Sequence, residues 1–478
     1  MIEFGTAGIR GPVEETVTPR VALRVGGAVG RFAVEYGSAS TPAVVIGRDG
    51  RTTGSGLAAA VEAGVSAAGS RPIRVGQLPT PALAFASRDR FGVMLTASHN
   101  PPADNGIKCF ADGQAFDDEQ EAWIEQAVDE EAVAGFDEWG TTHREAPLAD
   151  YRSAVVDYAR GCAGADSPCA ALDIAVDCGN GMAALATPHV LRELGATVVA
   201  LNANVDGHFP GRPSKPTPET LGGLREFVGD GDADLGIAHD GDADRIVVLD
   251  GDGNIVHEDT VVAILAGYYT RRQSSVDGAT DDDPVVVTTP NASARIDEAV
   301  AAAGGRVERV RLGALHEGIA AEADGGRVVF AAEPWKHLHP AVGGWIDGVV
   351  SAAVVSSLAA SEGLVALREP ITERPYRKVS VDCPERAKEP AMTALETSLP
   401  AAFDDVTVSL DHGVRLDRPD GSWLLVRPSG TEPYIRLYAE SEAVDEIVGT
   451  ATERIEAAVD DATERIEAAV DDATETAD

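Results

Sequence analysis

The chain has 478 residues, too many for one hydrophobic core, so several domains are expected. Its 78 acidic residues outnumber 39 basic ones, a net charge of −39 that repels nucleic acid and anionic lipid and excludes both as partners. The five cysteines (Cys109, Cys162, Cys169, Cys178, Cys383) form no CxxC pair, which excludes a disulfide framework and a zinc site and points to reduced thiols in the cytoplasm. No apolar run reaches the roughly 20 residues a membrane span needs, and MIEFGTAGIRG has no signal-peptide pattern. Acidic residues are interleaved with apolar ones, the pattern of a solvated, salt-adapted surface. Only five lysines occur: Lys108, Lys215, Lys336, Lys378 and Lys388. A phosphate-binding site must therefore gather its cations locally, which makes clustered Arg and Lys informative.

In chain order, Ala43–Gly47 predicts a buried strand, Gly54–Ala68 a helix, and Phe91–Leu95 a second strand that runs into the polar loop Thr96–Pro102. A second unit begins at Ala171–Asp177, passes Gly179–Gly181 and a helix near Thr187–Leu194, and adds strands at Thr197–Leu201 and Ala233–Ala238. A third has a helical stretch from Thr260, a strand at Pro284–Thr289, a helix at Ser293–Ala303 and a strand at Arg327–Phe330. Strands alternating with helices imply three α/β domains with mainly parallel sheets. The fourth unit differs. Arg377–Val381, a helix near Ala387–Ser398, then Thr407–Leu410, Val414–Leu416, Trp423–Arg427 and Tyr434–Glu440 predict an α+β domain with an antiparallel sheet. The expected domains are 1–150, 151–256, 257–368 and 369–450. A tail, 451–478, repeats ATERIEAAVDD and sets Ile455, Val459, Ile466 and Val470 on one helical face.

Three segments carry chemistry. In Thr96-Ala-Ser-His-Asn-Pro-Pro, Pro101 and Pro102 keep the loop from becoming a helix, which leaves Ser98 on a rigid turn at a sheet edge beside His99. Alone, this is as consistent with an ordinary turn serine as with a nucleophile. In Asp240-Gly-Asp-Ala-Asp-Arg, carboxylates at alternate positions suit Mg²⁺ or Ca²⁺. An EF-hand is excluded, because Arg245 stands where its glycine belongs and Gly251 where its glutamate belongs. Arg245 makes sense if an anion joins the cluster, and a phosphate on Ser98 would be that anion. The echo Asp230-Gly-Asp-Ala-Asp-Leu lacks the arginine and reads as a solvated loop. In Arg427-Pro-Ser-Gly-Thr-Glu-Pro-Tyr-Ile-Arg436, two arginines, two hydroxyls and a glycine make a phosphate cradle.

Together these segments resemble the α-D-phosphohexomutase family, which includes phosphoglucomutase, phosphomannomutase and phosphoglucosamine mutase, in an archaeal-type, salt-adapted form. The matching landmarks are Phe4-Gly-Thr-Ala-Gly-Ile-Arg10-Gly, Thr96–Pro101, Asp240–Arg245 and Arg427–Thr431, with Asp206-Gly-His-Phe-Pro-Gly211 as a further likeness. The resemblance implies four domains around a central cleft. It implies a phosphotransferase that interconverts sugar 1- and 6-phosphates of glucosamine, mannose or glucose through phosphoserine and a bisphosphorylated intermediate. It makes Ser98 the phosphorylated residue and, with Asp240, Asp242 and Asp244, a ligand of one Mg²⁺ per subunit. It places Arg10 and Arg245 at the transferring phosphoryl group, Lys108 and His99 among the catalytic groups, and Arg427, Ser429, Gly430, Thr431 and Arg436 on the other phosphate. A sugar bisphosphate is the implied activator, and a monomer or homodimer the implied assembly.

The family's sugar loop usually reads Gly-Glu-x-Ser-Gly-His, whereas here it is Ala332-Glu333-Pro334-Trp335-Lys336-His337. Glu333, Trp335, Lys336 and His337 are the expected sugar-binding residues, with Trp335 stacking on the sugar or narrowing its pocket, unless it and Lys336 point away and pack or solvate. A narrower pocket leaves a phosphopentomutase as the alternative. A metal-dependent phosphohydrolase and a non-catalytic sugar-phosphate-binding protein are rivals from other classes.

Overall fold

The computed structural model describes residues 4–5, 8–37, 42–130, 132–276, 283–322, 326–429 and 432–475. It forms two compact units, one of Met1–Leu265 with Val328–Arg368 and the other of Ala266–Arg327 with Glu369–Asp478.

In the first unit, a mixed sheet has the order Ile9–Pro12, Asp104–Ala111, Phe91–Leu95, Ala43–Arg48, Arg71–Gln77, His143–Arg144. The last four strands are parallel, and Asp104–Ala111 is antiparallel to both its neighbours. After Ala43–Arg48 the chain adds a strand on one side, then returns to place Phe91–Leu95 on the other. That switch point opens a crevice at the strands' carboxyl ends, where α/β proteins bind ligands. The loops at Asp49 and Thr96 lie there.

Two helices, Pro19–Tyr36 and Gly54–Ala67, join this sheet's core through Val25, Val29, Leu57 and Val61, packed with Val44, Ile46, Val93 and Leu95. The first begins cleanly because Thr18 accepts a hydrogen bond from the Val21 amide and Pro19 occupies the opening turn. The helices approach backbone to backbone. A Cβ on Gly64 would lie 2.1 Å from the Leu23 carbonyl oxygen.

A second sheet runs Val247–Leu249, Leu235–Ala238, Asp173–Asp177, Thr197–Leu201, parallel except for its first pair. Here too the chain reverses direction across the sheet, between Asp173–Asp177 and Leu235–Ala238, and the Asp240 loop leaves from that point. Helix Gly348–Glu362 (GVVSAAVVSSLAASE) is small and apolar on every side, and it is buried through Ala359. Asp347 caps it by accepting from the Val349 and Val350 amides.

The expected third domain is divided between the units. Pro284–Thr288 and Arg306–Arg309 pair in parallel in the second, while Arg327–Glu333 and Lys336–Leu338 form an antiparallel hairpin that lies in the first from Val328 onward. The second unit also holds a five-stranded antiparallel sheet, ordered Tyr376–Asp382, Tyr434–Glu440, Trp423–Pro428, Val414–Asp417, Thr407–Ser409. Alternate residues (Val379, Val381, Leu424, Val426, Ile435, Leu437) face helices Glu385–Ser398 and Val444–Glu475.

That last helix runs unbroken through residue 451, where the sequence suggests a separate tail. Its first repeat completes the sheet's core through Ile455 and Val459, and Ile466 of the second copy still packs against it. The side chain of Val470 lies outside the described residues. All five cysteines are free thiols. Among the described residues no helix is long and apolar enough to cross a membrane.

Gly64→Ala is expected to lower stability by about 2 kcal/mol, because neither backbone can yield to a methyl group. Chemical denaturation should show a lower midpoint at an unchanged slope.

Candidate active site

The Ser98 turn is held from beneath. Strand Phe91–Leu95 delivers Thr96, whose hydroxyl donates to Asp49 Oδ2 (2.7 Å) and accepts from the Ser98 amide (2.8 Å). Ser98 is buried with φ of +50°, a left-handed conformation costly for a residue with a Cβ. The guanidinium of Arg51 stabilises it. Arg51 donates to the carbonyls of Ser98 (3.0 Å), Asn100 (2.8 Å), Pro101 (2.5 Å) and Asp104 (2.9 Å), and is itself paired with Asp49 at 3.1 Å. A ring stacks above it, that of Phe209, with its centroid 5.1 Å away.

Ser98 Oγ donates to Asp240 Oδ2 at 2.6 Å and lies 3.2 Å from His99 Nδ1. Asp240, Asp242 and Asp244 are all buried, and one oxygen from each falls within 4.8 Å of the others. Gly241 lets this loop press on the serine turn, since a Cβ there would lie 2.5 Å from the Ser98 carbonyl oxygen. Thr80, at the start of helix Thr80–Ala86, grips Asp242 twice. Its hydroxyl donates to Oδ2 (2.6 Å) and its amide to the backbone carbonyl (3.0 Å). Asp242 Oδ1 and Asp244 Oδ1 are buried with no hydrogen-bond partner. Hard oxygens left open in this way fit a divalent cation. The echo at Asp230–Asp234, by contrast, is mostly exposed.

Cations balance the cluster. Lys108 Nζ lies 3.0 Å from both Asp242 and Asp244, and Arg245 Nε lies 3.8 Å from Asp240 and 3.9 Å from Asp244. Burial pushes the Arg10 guanidinium below its ordinary pKa, while the three carboxylates oppose that shift. Burial, reinforced by Asp244 and Asp242, raises the Asp240 carboxyl well above the usual range. For Asp244 burial acts upward too, but Lys108 and Arg245 outweigh it and hold the group down. Lys108 loses affinity for its proton through burial but regains more from its two aspartates. Burial, then Arg245 and Arg10, lowers His99 to about 3, so its imidazole is neutral near pH 7.

The hairpin of the expected sugar loop reaches the same place. Lys336 forms a backbone bridge with Arg245, and its ammonium lies 3.0 Å from Glu333. The other two expected sugar residues have packing and hydrogen-bond partners of their own. Trp335, at φ of +68°, packs against the cluster of Leu221, Leu224, Val247 and Leu249. Its ring is partly buried there. His337 is buried with Nδ1 3.0 Å from Ser351 Oγ, and burial lowers it to about 3.

In the second unit, Arg427 and Arg436 stand directly opposite each other on adjacent strands, and the Nε of each is buried without a partner. Like charges so placed are unfavourable unless an anion joins them. Lys388 anchors the turn through the Ser429 carbonyl at 2.7 Å. Gly430 and Thr431 lie outside the described residues.

Sequence reasoning passed over Asp49, Arg51 and Thr80. Arg51 follows a strand's end in an acidic chain, the signal that singled out Arg245. Thr80 carries no such mark, because its partner is far away in sequence. Thr80→Val is expected to weaken divalent-cation binding about tenfold, the range for losing a group that orients a ligand. Calorimetric titration with Mg²⁺ measures it.

Family models match three stretches: phosphoglucomutase/phosphomannomutase alpha/beta/alpha domain I at residues 1–134, domain II at 155–253, and the C-terminal domain at 379–462. A phosphopentomutase of Thermococcus kodakarensis is 40% identical over 92% of this chain and 93% of its own. A probable phosphoglucosamine mutase of Methanopyrus kandleri is likewise 40% identical, over 92% and 94%. A phosphoglucomutase/phosphomannomutase family protein of Burkholderia thailandensis has the same fold, with a TM-score of 0.81 at 24% identity over 95% of this chain and 97% of that one. The chain is therefore an enzyme of the phosphoglucomutase/phosphomannomutase family, to which its sequence, fold and buried serine–carboxylate site all assign it.

Proposed function

We propose that this enzyme interconverts the 1-phosphate and 6-phosphate of a hexose or hexosamine (glucosamine first, then mannose or glucose) through phosphoserine at Ser98. The observation that carries the reading is the 2.6 Å hydrogen bond from Ser98 Oγ to Asp240, beside two carboxylates with open oxygens. One Mg²⁺ per subunit, held by Asp240, Asp242, Asp244 and an oxygen on Ser98, supplies positive charge at the phosphoryl group.

The chain's own groups do the rest. The bond from Ser98 Oγ to phosphorus breaks as a sugar hydroxyl forms its own bond to phosphorus, and the hydroxyl proton passes to a base within reach. His99, neutral, is the candidate base, and Lys108, held protonated by its two aspartates, is the candidate acid that gives a proton to the departing Ser98 Oγ. Arg10 and Arg245 neutralise charge on the transferring group. The bisphosphorylated sugar then turns over and returns its other phosphate to Ser98, while Arg427, Ser429, Gly430, Thr431 and Arg436 grip the phosphate that is not reacting. Glu333 and Lys336 remain the sugar ligands. A sugar bisphosphate primes the serine. The enzyme works in the cytoplasm as a monomer or homodimer, and its −39 charge suits a salt-rich interior.

One observation favours a second reading. The phosphopentomutase relative is as similar as the phosphoglucosamine mutase one, which makes ribose phosphate the alternative substrate.

A panel of glucosamine, mannose, glucose and ribose 1-phosphates, assayed in high salt with Mg²⁺ and a trace of bisphosphate, separates these readings. Isomerisation of a hexose or hexosamine phosphate, abolished by Ser98→Ala, is expected. Turnover of ribose phosphate alone supports the alternative. Release of inorganic phosphate at a matching rate indicates a hydrolase, and no turnover of any sugar leaves a binding protein.

A further inference from the structure

The sheet of the second unit has one face packed on helices Glu385–Ser398 and Val444–Glu475, while the opposite face carries an unusual concentration of positive charge for this chain. Arg427, Arg436, Tyr438 and Lys378 all fall on that opposite face, since their strand neighbours Val426, Ile435, Leu437 and Val379 belong to the core. The register makes them one patch. Lys378 stands opposite Tyr438, Tyr438 opposite Leu425, Arg436 opposite Arg427, and Ser380 opposite Arg436. The Lys378 ammonium lies 5.5 Å from the centre of the Tyr438 ring.

Three cations thus surround one phenol. The nearby acids do not cancel them. Glu432 engages Arg436 at 3.1 Å from an exposed position, and Glu440 is taken by Arg295 at 2.7 Å and by the Trp423 indole. Burial drives the Tyr438 phenol upward, yet Arg436, Arg427 and Lys378 bring it below its ordinary value. Two buried guanidinium Nε atoms without partners, on the same face as a lysine, are suited to a dianion.

We propose that Lys378 and Tyr438 form, together with Arg427 and Arg436, an anion site that holds the phosphate monoester of the substrate and sets its affinity. Lys378 supplies the charge and Tyr438 a hydroxyl donor, while neither takes part in the chemical step. This rests on the mutase reading given above and extends the cradle beyond the turn at Ser429.

The test uses the full chain with Lys378→Gln, Lys378→Arg and Tyr438→Phe. For the sugar phosphate that turns over, Lys378→Gln should raise KM roughly tenfold, the loss expected for one charged hydrogen bond, with kcat within about twofold of wild type. Lys378→Arg should restore KM, and Tyr438→Phe should raise it less than Lys378→Gln does. Calorimetric titration with inorganic phosphate gives an independent reading. Weaker phosphate binding by Lys378→Gln upholds the site even if no sugar is isomerised. Unchanged KM and unchanged phosphate binding in that variant overturn it, as does a wild-type chain that binds no phosphate.

Discussion

Three carboxylates buried in one short loop repel one another, and the surrounding first unit is arranged around that cost. Asp240, Asp242 and Asp244 are almost fully removed from water, where an uncompensated charge costs several kcal/mol. Lys108 answers two of them, Arg245 approaches two, and Ser98 donates to the third. Two oxygens remain open, which is the property a cation site needs. The same arrangement explains why Ser98 is buried: its hydroxyl belongs to the cluster's hydrogen bonding before any substrate arrives.

Geometry is imposed on this cluster by backbone strain. Ser98, Ala243 and Trp335 each adopt a left-handed conformation without being glycine, and they sit in the serine loop, the carboxylate loop and the hairpin that meets it. Each costs of order 1 kcal/mol and persists only where neighbours over-determine it. For Ser98 the neighbour is Arg51, with four carbonyls in its grasp. For Trp335 it is an apolar cluster that takes the ring and leaves Lys336 beside Arg245. Both loops leave from carboxyl ends of strands where the chain reverses its direction across the sheet. The fold offers crevices at those points, and the sequence fills them.

Much of this was legible in the residues themselves. The strands at Ala43, Phe91 and Ala171 were apolar runs, and the antiparallel sheet showed in its closely spaced strands. Asp240–Arg245 stood out because three acids with one arginine are a poor turn and a good cation site. Contacts between residues far apart in sequence were not legible. Lys108 could be named only by resemblance, since the antiparallel strand that carries it opens on Asp104-Asn105-Gly106, which reads as a turn. For Trp335, a tryptophan replacing a small residue suggests a smaller pocket, and its packing against an apolar cluster distant in sequence was not legible. The repeat at 451–472 suggested an appendage, but its first copy is the apolar face that the sheet requires.

The central claim is that Ser98 carries the phosphoryl group between two positions on one sugar. Incubation with a sugar bisphosphate labelled with ³²P, followed by peptide mapping, tests it directly. The account predicts label on the peptide bearing Ser98, discharged into sugar phosphate when unlabelled substrate is added. Isomerisation that proceeds with no label on Ser98, or label that leaves only as inorganic phosphate, would contradict it.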